Sequence, residues 1–244
     1  MRRPVKYLQT DPRWGGIDYS APGEKTDIAE SGCGPTSMAM VIATLKDSSV
    51  TPATTCAWSK ARGYKAPNQG TYYSYFKPQA AAYGLIVEQM NYSNAYHNRG
   101  ATVHAQALQE LRKGNWLISC MGPGKWTKSG HFILVYGTDG SNVYINDPYS
   151  TRANKEKASI AEWQNEVKYY FKVVVPKEED DMSKDEVLQI IEEYLQNGKN
   201  NTVADYAKEP WAEAKEKGIV DGTRPRGYAT RQEVVTMISR ALKG

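Results

Sequence analysis

The run Ser31-Gly32-Cys33-Gly34-Pro35-Thr36-Ser37, followed by Met38, Val41, Ile42 and Leu45 at i, i+3, i+4 and i+7, constrains this chain more than any other segment. It reads as the mouth of an amphipathic helix with a cysteine at its first turn, because Pro35 suits a position whose N–H has no intrahelical partner. The unpaired N–H groups and positive dipole end of such a helix favour thiolate over thiol. Gly32 and Gly34 are expected to let a substrate backbone approach the sulfur. Nucleophilic catalysis at Cys33 is therefore the first chemistry to consider, against the alternative of a small buried thiol at a turn.

A chain of 244 residues with 40% hydrophobic content can bury one full core and a small second one. The formal charge of +4 is spread along the chain without a Lys/Arg block, so neither nucleic acid nor a charged membrane surface is an expected partner. No segment is apolar for long enough to cross a membrane, and Met1-Arg2-Arg3-Pro4 is not followed by the apolar stretch of a signal peptide. Synthesis in a bacterial cytoplasm is expected. The three cysteines, at 33, 56 and 120, make neither a disulfide framework nor a zinc motif, and no metal or cofactor is expected. Cys56 and Cys120 read as packed thiols.

Beyond the Cys33 helix, the pattern predicts a helix from Thr71 to Tyr83 stopped by Gly84, a strand over Leu85–Met90, a helix from Thr102 to Lys113 and a strand over Trp116–Cys120. His131–Gly137 and Asn142–Asn146 flank Asp139-Gly140 as a hairpin. A strand over Tyr169–Val175 closes an α+β domain of residues 1–176. Residues 177–184 are polar and read as a linker. Residues 185–244 show three helical patterns, around Val187–Leu195, Trp211–Lys215 and Val234–Leu242, the last with a capping box of Thr230 and Glu233.

A cysteine nucleophile needs a base and a group that orients it. His97 in a polar loop and His104 near a helix start read as exposed or capping residues. His131 begins an otherwise apolar strand and stands where a cleft can form. The hairpin brings Asn146 and Asp147 opposite it. A two-residue turn leaves Asn146 on its face, whereas a one-residue bulge puts Asp147 there. Gln9, in Gln9-Thr10-Asp11-Pro12-Arg13-Trp14-Gly15, is a candidate to join the Cys33 N–H in an oxyanion hole.

Gln9 in its Gln-x-Asp-x-x-Trp-Gly segment, Ser31–Ser37, Gly130-His131-Phe132 and Asn146-Asp147-Pro148-Tyr149, in that order, resemble the papain-like cysteine peptidases related to bacteriocin double-glycine leader peptidases. The resemblance covers about residues 5 to 175. It implies an N-terminal helix carrying the cysteine packed on an antiparallel sheet. It further implies Cys33 as nucleophile, His131 as base and then acid, Asp147 rather than Asn146 as its orienter, and Gln9 in the oxyanion hole.

Asp205-Tyr206, Trp211-Ala212, Gly218-Ile219-Val220-Asp221-Gly222, Pro225 and Ala229–Glu233 resemble one S-layer homology unit, a module that holds proteins to bacterial wall polymers. A small helical packing or oligomerisation module is the plainer reading of the same residues. A peptidase joined to such a unit resembles a phage endolysin, stored in the host cytoplasm and released to cut peptidoglycan. The expected reaction is cleavage of an amide in the stem peptide or cross-bridge, as an endopeptidase ahead of an amidase. A processing peptidase for glycine-rich leaders and a wall-binding protein with an inactive peptidase fold are the alternatives. The codons of Lys177-Glu178-Glu179 can also spell a ribosome-binding sequence upstream of Met182, so a separately translated tail that assembles with the full chain is a further expectation, beside an ordinary acidic linker.

Overall fold

The computed structural model describes residues 2–176, 203, 207–220 and 231–242. The chain divides into two compact units, Met1–Pro176 and Lys177–Gly244.

In the first unit, α1 (Ile28–Ser31) leads directly into α2 (Cys33–Leu45), followed by α3 (Pro52–Ala61), a 3₁₀ turn over Tyr73–Tyr75 and α4 (Phe76–Ala81). Then come β1 (Val87–Gln89), α5 (Ala101–Arg112), β2 (Trp116–Met121), β3 (His131–Thr138) and β4 (Asn142–Asn146). The unit ends with α6 (Ala153–Glu156), β5 (Lys157–Ser159), α7 (Ile160–Glu166) and β6 (Val167–Val173). The six strands form one sheet in the order β1-β6-β2-β3-β4-β5, and every pairing is antiparallel. This is the α+β arrangement of papain-like peptidases, a cysteine-bearing helix packed on an antiparallel sheet.

Alternate residues of β2, β3 and β6 feed two cores. Ile118, Cys120, Phe132, Leu134 and Phe171 meet α2 and α4 in one, and Leu117, Ile133, Val135, Val143 and Tyr170 meet α5 and Trp163 of α7 in the other. Helix α2 is buried, and more completely than a one-sided apolar spacing requires: Gly34 through Ile42 are all buried. Alternation of small residues with Met38 and Met40 lets it be enclosed on every side. Each of the fully buried Met, Val and Ile side chains contributes about 1.5–3 kcal/mol relative to an exposed one.

Several elements depart from their expected bounds. The helix expected from Thr71 begins only after the turn at Tyr73–Tyr75, because Thr71 pairs with Lys65 in a short bridge. Pro78 is tolerated because it falls in the first turn of α4, and Gly84 ends the segment at φ 66. The first strand is shorter than expected, and β6 starts two residues earlier. Helix α3 was not anticipated, although Thr51 before Pro52 is a helix-start signal and Thr51 and Thr54 form a reciprocal cap.

The hairpin turn is wider than two residues. Thr138 pairs with Val143, and Asp139 accepts hydrogen bonds from the N–H groups of Ser141 and Asn142 inside the loop. His104 is not exposed: it is buried, with Nδ1 2.7 Å from the Tyr170 hydroxyl and Nε2 3.2 Å from the Ala95 carbonyl oxygen. His97 does lie exposed in its loop, at φ 58.

In the second unit, α8 (Lys208–Glu216) carries a half-buried Trp211 and ends near Gly218 at φ 65. Helix α9 spans Arg231–Ala241, with Val234, Val235 and Ile238 exposed along it. The expected linker, the Val187–Leu195 helix, Met182, the Thr230 end of the capping box and much of the wall-module resemblance, including Asp205, Asp221 and Pro225, lie outside the described residues.

Candidate active site

Two helices placed end to end present Cys33. Gly32 closes α1 by donating its N–H to the Ile28 carbonyl at 2.8 Å, and its own carbonyl accepts the first α2 bond from Thr36 at 2.9 Å. A Cβ at residue 32 would lie 2.6 Å from the Ile28 carbonyl oxygen. One at residue 34 would meet Phe132 at 3.3 Å and Thr71 at 3.4 Å. The two glycines therefore serve the protein's own close packing. Cys33 occupies the first turn of α2, where its N–H has no intrahelical acceptor.

The candidate base arrives on β3. His131 is buried, lines the same cleft as Cys33, and has Nε2 2.7 Å from Oδ1 of Asp147. With Nε2 turned to the carboxylate, Nδ1 is the ring nitrogen left for the sulfur.

The register question resolves through a bulge. Tyr136 is an extra residue in β3: Gly137 pairs with Tyr144 but Val135 with Ile145 and Leu134 with Asn146. That one-residue offset turns Asn146 to the face of Leu134 and leaves residue 147 on the side of His131. Asn146 instead donates from Nδ2 to the Pro4 and Val5 carbonyls at 3.3 and 3.2 Å. Asp147 is fully buried and also accepts the Tyr149 N–H at 2.8 Å. The Tyr149 ring stands edge-on to His131, 6.4 Å between centroids.

Burial alone would raise the pKa of the Cys33 thiol. The hydrogen bond and positive charge of His131, with the N–H groups of Phe132 and Gly34 at the sulfur, outweigh it and hold the thiol below its ordinary value. Burial alone would likewise lower His131. The hydrogen bond to Asp147 and the hydrogen bond and charge of Cys33 override it and push the imidazole up to about 9. Both shifts favour a thiolate–imidazolium pair at neutral pH. The other two cysteines behave differently: burial raises Cys56 well above the usual thiol range and takes Cys120 to about 11.

Gln9 comes near this group without joining the cleft. Its segment folds over Asp11, whose carbonyl accepts the Trp14 and Gly15 N–H groups at 3.0 and 2.7 Å. The Gln9 N–H donates to the Pro148 carbonyl at 2.7 Å, beside Asp147. Its side-chain amide points at α1, donating to the Ala29 carbonyl at 2.7 Å and the Ile28 carbonyl at 3.4 Å.

Cys33 and His131 open into a cleft of about 350 Å³. The 68–71 loop, Tyr73 and Lys168 also line it. None of these stood out in the sequence. The loop is anchored by Lys65, buried and paired with Glu24, whose ammonium also donates to the Ala66 and Gln69 carbonyls at 2.8 and 2.6 Å. Cys120 borders the cleft too, with its sulfur 3.5 Å from the Tyr73 hydroxyl.

Residues 17–173 match the model of the Peptidase_C39 like family. The chain belongs to that family. The match begins after Gln9 and spans Cys33, His131 and Asp147. Among solved structures, this C39-like chain is similar to the peptidase domain of Streptococcus ComA, a bi-functional ABC transporter involved in a quorum sensing pathway (17% identity, 60% of this chain and 93% of the other, TM-score 0.41). It is also similar to a C39-like peptidase from Bacillus anthracis (12%, 72% and 100%, TM-score 0.45) and to a double glycine motif protease from an AMS/PCAT transporter in complex with the leader peptide (19%, 58% and 82%, TM-score 0.38). No curated protein matches the chain. Among the described residues, no helix is long and apolar enough to cross a membrane, and no group of three His, Cys, Asp or Glu side chains is placed to hold a metal.

Proposed function

We propose that this C39-like chain is a peptidoglycan hydrolase of the phage endolysin kind, cutting an amide of the stem peptide or cross-bridge with Cys33 as nucleophile. The observation that carries the catalytic part is the His131–Asp147 hydrogen bond of 2.7 Å behind a thiol held below its ordinary pKa. The S-layer-like motifs of the tail support a wall polymer as the target. Storage in a bacterial cytoplasm and release to the wall belong to the same reading. So does assembly through the C-terminal unit, with or without a tail translated from Met182.

The Cys33 thiolate attacks the carbonyl carbon, and the C–S bond forms as charge moves to the oxygen. The Cys33 N–H faces that charge, and Gln9 is the second donor once its amide exchanges the long bond to Ile28 for the oxyanion. As the C–N bond breaks, His131 passes its proton to the leaving amine. Water then loses a proton to His131 and attacks the thioester, and the thiolate leaves. Asp147 holds the ring with Nδ1 toward the sulfur and stabilises the imidazolium.

Incubation of purified Gram-positive walls with the full chain tests the target. Release of new free amines, abolished in Cys33→Ala, is expected. Intact walls together with Cys33-dependent cleavage of a glycine-rich leader would move the reading to a processing peptidase. Wall binding unchanged by Cys33→Ala, without cleavage of either substrate, would leave only a binding protein.

A further inference from the structure

The ladder between β2 and β6 is broken at one point. Cys120 pairs with Tyr169, but Met121 pairs with Val167, so Lys168 has no residue opposite it. Val167 and Tyr170, three residues apart, both belong to the core under α5 and α7, which an unbroken strand does not allow, while Tyr169 packs on the opposite core. Counted back from Tyr170 in a regular strand, Lys168 would be driven into that core, where an ammonium without a partner is costly. The extra residue instead leaves it on the side of Tyr169 and of the cleft, which it lines with Cys33 and His131.

Among the described residues, Lys168 is the cleft's single Lys, Arg, Asp or Glu side chain. Its Nζ lies 3.5 Å from where a Cβ on Gly130 would be, beside the residue that precedes the base. No carboxylate pairs with Lys168 among the described residues; the same holds of Lys25, Lys46, Lys77, Lys128, Lys155 and Lys215, but none of those lines the cleft. A half-buried cation aimed by a bulge into a cleft whose other charges, the Cys33 thiolate and the His131 imidazolium, offset each other has its natural counter-ion in what the cleft takes in.

We propose that Lys168 is a specificity residue of this site, holding a carboxylate that the substrate peptide carries beside the scissile amide. The proposal rests on the peptidase reading of Cys33 and deepens it. A stem peptide carries free carboxylates along its length, whereas a glycine-rich leader offers none at the cleaved bond. The carboxylate comes either from an acidic side chain or from a free C-terminus.

Alkylation of Cys33 in the full chain by iodoacetate and by iodoacetamide, two reagents of nearly the same size that differ in charge, tests this without a known substrate. Both react with the thiolate, so the ratio of their rates cancels the thiolate fraction. With Cys33 followed by peptide mass mapping, Lys168→Met is expected to lower the iodoacetate-to-iodoacetamide ratio about three- to tenfold, Lys168→Glu to lower it further, and Lys168→Arg to keep it. An unchanged ratio in Lys168→Met overturns the subsite. Alkylation of Cys33 no faster than of Cys56 and Cys120 would overturn the peptidase reading itself, a distinct result.

Protection of Cys33 from iodoacetamide separates the two carboxylate sources. Acetyl-Ala-Glu-amide supplies a side-chain carboxylate, acetyl-Ala-Ala a terminal one, and acetyl-Ala-Gln-amide neither. Greater protection by one acidic peptide, lost in Lys168→Met, supports the proposal and names the source. An equal effect of all three overturns it.

Discussion

Nε2 of His131 sits 2.7 Å from Oδ1 of Asp147 because Tyr136, five residues along the strand, is an extra residue in the hairpin ladder. The side chain placed to orient the candidate base is thus selected by backbone register. Asn146, its immediate neighbour, faces the other way and holds the N-terminal segment through the Pro4 and Val5 carbonyls.

The two neighbours should therefore fail differently. Asp147→Asn is expected to lower kcat by about 10²-fold or more, as loss of an orienting carboxylate does in related constellations. Asn146→Ala should leave kcat close to wild type while lowering stability by about 1–2 kcal/mol, through two lost side-chain bonds to backbone. Steady-state kinetics with denaturant unfolding checks both. The opposite pattern would return Asn146 to the orienting role.

How much of this was legible in the sequence differs from residue to residue. Cys33 and His131 were readable because each stands at the start of an apolar element whose end must reach the surface of the core. Asp147 was not separable from Asn146 by residue types alone, since nothing in Gly137–Ser141 encodes a bulge at Tyr136. Lys168 was invisible because the expected strand began only at Tyr169, and the ladder alone shows which way the preceding lysine turns. His104 misled because its two hydrogen bonds come from Tyr170 and Ala95, one of them 66 residues away. The two glycines beside Cys33 were legible as necessary but not in their purpose, which lies in contacts to Ile28, Phe132 and Thr71.

Gly32 is the tighter of that pair. An added methyl would stand 2.6 Å from a backbone oxygen of α1, which cannot swing aside as a side-chain end could. Gly32→Ala is expected to cost about 1–3 kcal/mol of stability and to shift Cys33 away from His131. Thermal unfolding reads the first effect, and a slower alkylation of Cys33 in the folded variant reads the second.

Gln9 separates an oxyanion donor from a structural amide. Gln9→Glu leaves the side chain nearly isosteric but removes the donor, so kcat should fall by about 10²–10³-fold with KM little changed if the oxyanion role holds. A loss of stability toward the Ala29 contact with kcat preserved would confine Gln9 to bracing α1. Paired kinetic and unfolding measurements on this variant distinguish the two.

The pH profile follows from the two shifts. Activity needs thiolate and imidazolium together, so kcat/KM should rise through the lowered Cys33 pKa and fall as His131 loses its proton near 9. Asp147→Asn should draw the alkaline limb downward, because the bond to Asp147 helps to raise the imidazole. His131 binds its proton more tightly folded than at its ordinary 6.5, so its contribution to stability is complete below that value and is lost as the pH climbs through about 9. The lowered Cys33 pKa acts with the opposite sign, adding stability as the pH rises through it, so unfolding midpoints should decline less across that interval in the wild type than in Cys33→Ala, where His131 acts alone.

The rate of Cys33 alkylation by iodoacetamide against pH, in the wild type and in His131→Ala, tests the thiolate–imidazolium pair most directly. The account predicts a wild-type titration below the ordinary thiol value of 9.0 and an upward move in His131→Ala, where burial of the sulfur is no longer opposed by the imidazolium. The same midpoint in both proteins would contradict it.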